Sequence, residues 1–432
     1  VTRTGVSGTP RPLLMVRLLA GRGSFRLGVQ VMAVVLAATW GADGYGRFTN
    51  ALGACSWLVF VPTAAEKAAL KVIPRTRRIT GGVAGLALRI AAAPALALGG
   101  ALLVALLVAP DGAVSLYLAT ACWWTCTGLL MTVSGLHRLA GRPALDAVAF
   151  AAAAAVVVAG TAATWLAGLA PRTHVLLLLA GIALVTATAV AALPRGWVRP
   201  GRSGRRLLPA FGRSTGLLGL SELLDAATIS AIYLVLAWAG RVTDSGPFYL
   251  AMMVSSFVCS FLLYQFKLHQ PAVSARLRGT GAAGGRARAL AWLRAAERAG
   301  TGFAVVLAGA LLVPGARAVL LAPAGQPAGL VVLGALTLAE MAMAIVLMYA
   351  GFLLENTNSR VLTLTSAAAV IRFVANLVLA VALVPALGAV GGFATVLLAL
   401  AVEAYALRRM LLRQHPELAA PTPGRQAATI HH

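Results

Sequence analysis

Two charged side chains stand in the middle of long apolar runs: Glu340 in the run Gln326–Leu354 and Arg372 in the run Val361–Val384. A charge at the centre of a bilayer costs about 2.5–3.5 kcal/mol, so a residue of this kind points to a use. Arg372 could attract an anionic group into a cavity, and Asn376 lies one helical turn away on the same face. The structural alternative is that Glu340 and Arg372, at similar depth on adjacent antiparallel runs, pair with each other. Glu222 and Asp225 are three residues apart, share a helix face and could together hold a proton or a cation. Solvation by a vestibule, or pairing with Arg213, would account for them equally well. Arg89 could snorkel from its run to the surface. Arg26 and Lys267 end their runs, as interfacial anchors or as a basic entrance to a cavity. Glu66, Lys67 and Glu403 read as interface charges.

Nothing in the remaining sequence supports catalysis. The six histidines, His137, His174, His269, His415, His431 and His432, have no carboxylate at metal-ligand spacing. No phosphate-binding loop is present, so ATP is not expected as a ligand. The four cysteines fall inside apolar runs, where small buried side chains are the ordinary reading, and Cys122 and Cys126 lack a His or acidic neighbour for a metal. No catalytic residue, metal or cofactor is assigned, and the segments between runs are too short for a catalytic domain.

These residues must be positioned by membrane helices. The chain has 432 residues, 60% hydrophobic and 11% charged, against about 25% charged in an ordinary soluble domain. Twelve apolar runs are expected to span: 25–42, 48–65, 82–108, 114–136, 144–169, 174–193, 216–239, 248–268, 301–321, 326–354, 361–384 and 386–407. With both termini cytoplasmic, 30 of the 36 basic residues fall on the inner side and only Arg47, Arg172, Arg241 and Arg317 outside. Such a split orients a polytopic protein. It accounts for the net charge of +24 through anionic inner-leaflet lipids, with no nucleic acid. Thirty-three arginines against three lysines suggest GC-rich coding and a bacterial cytoplasmic membrane. Trp40, Trp165 and Trp238 fall near outer helix ends.

The second and eighth runs superpose without a gap at an offset of 200 residues. Gly46, Phe48, Ala51, Ser56 and Lys67 meet Gly246, Phe248, Ala251, Ser256 and Lys267, five identities in 22 positions. Six helices followed by six in the same orientation is a parallel repeat. The expected architecture is all-α, with bundles over residues 1–200 and 201–415 and a disordered tail over 416–432. Pro62, Pro94 and Pro385 are positioned to kink helices and free carbonyls. The segment Arg286–Arg298 reads as a short amphipathic helix on the inner leaflet.

Two stretches carry a resemblance. GADGYGRFTNALGACSWLVFVPTAAEKAAL, from Gly41 to Leu70, resembles the first outer loop and second helix of polysaccharide exporters. ANLVLAVALVPALGAVGGFATVLLALAVEAYALRR, from Ala375 to Arg409, resembles the closing helices of the multidrug/oligosaccharidyl-lipid/polysaccharide (MOP) exporter superfamily. Together they cover about 65 residues, and the helix count extends the likeness over most of the chain. The resemblance implies a flippase moving an undecaprenyl pyrophosphate-linked oligosaccharide outward by alternating access. Its cationic cavity would be supplied by Arg372, Arg89, Arg26 or Lys267. The implied partners are the lipid-linked glycan, membrane lipids and glycan-assembly enzymes, with H+ or Na+ coupling through Glu340, Glu222, Asp225 or Asn376. Lipid II flippases of the superfamily bind a cation between helices seven, eleven and twelve, where Asp225 and Asn376 match but Arg372 is an awkward neighbour. A drug or metabolite antiporter of the same fold is the alternative, although its helix-one carboxylate is poorly matched by Asp43. A membrane-embedded transferase is a third reading.

Overall fold

The computed structural model describes residues 12–73, 80–110, 112–198, 204–277, 281–322, 326–357 and 361–418. The tail from residue 419 lies outside the described residues, as do the side chains of Lys267 and Arg213. All regular structure among the described residues is helical. The helices are α1 Pro12–Ala54, α2 Phe60–Val72, α3 Thr80–Val108, α4 Ala113–Leu139, α5 Pro143–Ala167, α6 Pro171–Ala191 and α7 Arg195–Val198. They continue as α8 Gly204–Trp238, α9 Ser245–Arg276, α10 Gly281–Leu312, α11 Pro314–Leu320, α12 Pro327–Thr357 and α13 Val361–Gln414.

Nine stretches of the described residues are long and apolar enough to cross a membrane. Two of them contain an internal break, at Gly41 (φ 64°) in α1 and at Gly388 (φ 57°) in α13. Dividing these and adding α8, which carries the seventh run, gives the twelve expected segments. Large apolar side chains stand bare on their surfaces, including Leu107, Val108, Leu166 and Leu312, each more than three-quarters exposed. Exposure on this scale marks a lipid-facing surface.

Four boundaries differ from the sequence expectation. The expected outer loop over 41–47 is helical except at Gly41, whose left-handed backbone makes the turn by itself. The second run is interrupted by a 3₁₀ segment, Ser56–Val59, before α2 begins. The break between the last two runs falls at Gly388 and not at Pro385, again because glycine accepts positive φ while Pro385 stays helical. The largest difference concerns the ninth run. The expected surface helix Arg286–Arg298 and the expected span Thr301–Leu321 do not exist as such; α10 runs unbroken from Gly281 to Leu312. Its Arg, Ala and Leu residues are strong helix formers with no stop signal. The chain turns extended at Val313 because Pro314 follows. At 32 residues α10 is about 48 Å long, so its arginine-rich half extends beyond a hydrocarbon core of about 30 Å.

The chain divides into two compact units, residues 1–250 and 251–432. In the first, α1 packs on α5, α4 on α3 and α6, and α8 on α1 and α2. Its core is built around Met32, Phe48, Trp123, Phe150 and Leu178. In the second, α10, α12 and α13 pack on one another. Gly300 lets α10 approach α13 so closely that a Cβ there would lie 2.2 Å from the Cβ of Ala401.

Candidate functional site

The interruption of the second membrane segment is the best-defined polar feature of the first unit. Pro62 has no N–H to donate back to the preceding turn, and the chain relaxes into a 3₁₀ turn just before it. Side chains from other helices take up the freed carbonyls. The Trp124 indole donates to the Leu52 carbonyl at 2.8 Å, and the Thr132 hydroxyl to the Pro62 carbonyl at 3.0 Å. The Ser230 hydroxyl of α8 donates to the Gly53 carbonyl at 2.8 Å and lies 3.0 Å from the Ser56 hydroxyl.

Around this break α8 is zipped onto the second segment. The Asn50 amide donates to the Tyr233 carbonyl at 2.7 Å and to the Ser245 hydroxyl at 2.8 Å, while the Tyr117 hydroxyl bonds Asn50 from the other side. Asn50 is wholly buried, so each of its contacts replaces water that cannot reach it. A Cβ on Gly53 would fall within 2.5 Å of three Tyr233 ring atoms. The seam continues to the basic end of both helices, where Lys67 and Glu222 form an ion pair. A broken membrane helix whose carbonyls are held by a neighbouring helix is a natural place for a hinge.

The same basic end carries a second set of charges. Asp146 is 1% exposed and is held by Arg22 at 3.3 Å and Arg138 at 3.2 Å. Arg138 also reaches Glu66 at 2.7 Å, and the Arg22 guanidinium lies over the Phe150 ring at 4.9 Å. Glu66 and Lys67 are therefore members of inter-helix ion pairs and not merely interface charges. Glu222 is half-buried against Lys67, whereas Asp225, one turn on, is exposed. Arg26 on α1 and Arg89 on α3 are also exposed. Asp43 pairs with Arg47 on an exposed rim.

In the second unit Arg372 and Glu403 form a half-buried pair at 3.3 Å. They stand 16 residues before and 15 residues after Gly388, so the reversal at that glycine brings them to the same depth on antiparallel arms of α13. The expected direct pairing of Arg372 with Glu340 is not formed: no salt bridge joins them, and Arg372 acts on Glu340 only through its field. Glu340 on α12 is 5% exposed and bonds Ser255 of α9, and its other oxygen has no hydrogen-bond partner among the described residues. Asn376 is fully buried on α13. Among the described residues no three His, Cys, Asp or Glu side chains converge as a metal site would require.

Sequence reasoning missed Asn50, Tyr117, Ser230 and Asp146. Asn50 is a polar side chain beside a run and Asp146 an acid near a helix start, both ordinary in isolation. The available signal was Asp146 falling one turn inside the run from Ala144, opposite an excess of arginines.

No protein-family model matches the sequence, and no curated protein is significantly similar to it. Solved structures do match. An inward-facing multidrug resistance MATE transporter of the MOP superfamily aligns with TM-score 0.55 and 15% identity over 94% of this chain and 99% of that one. A MOP superfamily transporter from Pyrococcus furiosus, described as having a binding pocket of reversed polarity, aligns with TM-score 0.53 and 14% identity over 94% and 96%. The lipid II flippase MurJ, in an inward closed conformation, aligns with TM-score 0.52 and 12% identity over 94% and 87%. Alignment of nearly whole chains on twelve apolar segments leads to one conclusion: the chain has the fold of the MOP superfamily.

Proposed function

We propose that the protein is an alternating-access transporter of the bacterial cytoplasmic membrane, with both termini inside, that moves a lipid-linked oligosaccharide from the inner to the outer leaflet. The observation that carries this reading is the distribution of guanidinium groups. Arg26 and Arg89 are exposed on apolar helices of the first unit, and Arg372 is kept inside the second by Glu403. A guanidinium stays charged at any relevant pH and forks onto phosphate oxygens, which suits a pyrophosphate head group. The glycan would follow the head group while the polyprenyl chain stays in lipid. Motion would pass through the broken second helix and its seam with α8, the two halves 1–200 and 201–415 rocking as the sequence repeat suggests.

The test is binding of undecaprenyl pyrophosphate to the purified protein in nanodiscs. Arg372→Ala, Arg89→Ala and Arg26→Ala should each weaken it, while Arg413→Ala, at the end of α13, should not. Equal affinity in all four variants would refute the assignment.

One observation favours a second reading, cation antiport in the manner of the drug transporters. Glu340 is a buried carboxylate with an unbonded oxygen, a plausible place for a proton or cation. On that reading Glu340→Gln abolishes transport and the arginine variants are nearly silent.

A further inference from the structure

On the second unit a cavity of about 400 Å³ opens between α10 and α13, lined by Arg294, Glu297, Arg298, Thr301 and Arg408. Its volume is within the range of about 300–1,000 Å³ common to small-molecule sites. Glu297 and Arg408 are joined at 2.8 Å, which fixes the Arg408 guanidinium at the wall. The Thr301 hydroxyl donates to the Glu297 carbonyl of its own helix at 2.9 Å. Arg294 and Arg298 are left over. They are exposed, one turn apart on the same face, and neither has an ion-pair partner among the described residues. Like charges at this spacing destabilise a helix, and here three guanidiniums face a single carboxylate.

The helix surface leading away from the cavity has the opposite character. From Arg298 the residues that follow on the same face are Gly302, Val305, Gly309 and Leu312. Val305 is 67% and Leu312 83% exposed. A Cβ on Gly302 or Gly309 would meet nothing within 4 Å, so the face is an open apolar furrow about 15 Å long. A basic pocket at the mouth of an apolar furrow has the shape and chemistry of an amphiphile that is anionic at one end.

We propose that this cavity binds the phosphodiester of an anionic glycerophospholipid through Arg294 and Arg298, with Arg408 held against it by Glu297. One acyl chain lies along Gly302, Val305, Gly309 and Leu312. The site uses residues apart from those assigned to the transported head group, and its test does not require transport.

The experiment is native mass spectrometry of the full chain released from detergent, titrated with phosphatidylglycerol and, separately, with phosphatidylcholine. Near an anionic surface each arginine is worth about fivefold in binding. Arg294→Gln with Arg298→Gln should therefore weaken phosphatidylglycerol binding about 25-fold and leave phosphatidylcholine unchanged. Gly302→Leu with Gly309→Leu, substitutions into open space, should reduce binding of the diacyl lipid while the melting temperature stays that of the parent chain. Phosphatidylglycerol bound equally by the parent and the double glutamine variant, or no preference over phosphatidylcholine, would overturn the proposal. So would sn-glycerol 3-phosphate or inorganic phosphate competing at the concentration of the lipid, which would make this a site for soluble phosphate.

Discussion

Gly53→Ala should loosen the seam between the second membrane segment and α8, and the size of the effect follows from the geometry. The added methyl would sit 2.3, 2.3 and 2.5 Å from three Tyr233 ring atoms, where carbon contacts are normally about 3.5–4.0 Å. Tyr233 cannot swing away, being 2% exposed and packed edge-on against Phe248 at 5.3 Å. The helices must therefore part by about 1 Å or more. That stretches three hydrogen bonds, Asn50 to the Tyr233 carbonyl at 2.7 Å, Ser230 to the Gly53 carbonyl at 2.8 Å and Ser56 to Ser230 at 3.0 Å. At about 1 kcal/mol each the loss is about 3 kcal/mol, or roughly a hundredfold in the local opening equilibrium. Hydrogen–deuterium exchange of the amides over residues 53–60, with the protein in nanodiscs, reads this directly. Exchange within threefold of the parent chain would show that the seam yields without cost, and the hinge argument would fail.

Other consequences are open to simple tests. Asp146→Asn leaves Arg22 and Arg138 without their shared carboxylate; because both arginines are about one-third exposed, the cost should be about 2 kcal/mol and not the 3–5 kcal/mol of a fully buried pair. A lower melting temperature in detergent would register it, and an unchanged one would contradict it. Gly300→Ala should destabilise the packing of α10 on α13 by about 1–3 kcal/mol, and Ala401→Gly in the same chain should restore it, since the two Cβ atoms would compete for one place. A double-mutant cycle on Arg372→Ala and Glu403→Ala should show a coupling of about 1–2 kcal/mol in thermal stability, and strict additivity would deny the pair.

Much of the architecture could be read in the sequence because the bilayer imposes it. Apolar runs of spanning length and the alternation of arginine-rich segments are physical requirements of insertion, and they recovered the helices. The repeat was also legible at particular positions: Phe48 and Phe248 are both fully buried, and Gly46 and Gly246 both sit at close helix contacts. What could not be read depends on which helices become neighbours. Lys67 and Glu222 are 155 residues apart, and nothing in either run names the other. Arg372 has two acidic partners in reach, Glu340 on α12 and Glu403 on its own helix; the turn at Gly388 decides between them, and a window average places that turn at the more conspicuous proline. The boundary of α10 failed for the same reason. Hydropathy marks where a helix is apolar, whereas the helix itself continues until a residue stops it.

The measurement that tests the central claim most directly is reconstitution into liposomes with a fluorescent undecaprenyl pyrophosphate-linked oligosaccharide, following access of an external quencher to the glycan. The account predicts protein-dependent translocation that Arg372→Ala removes and Glu340→Gln leaves largely intact. Absence of translocation, with exchange of a cationic dye under a proton or sodium gradient that Glu340→Gln abolishes, would contradict it and make the buried carboxylate the working site.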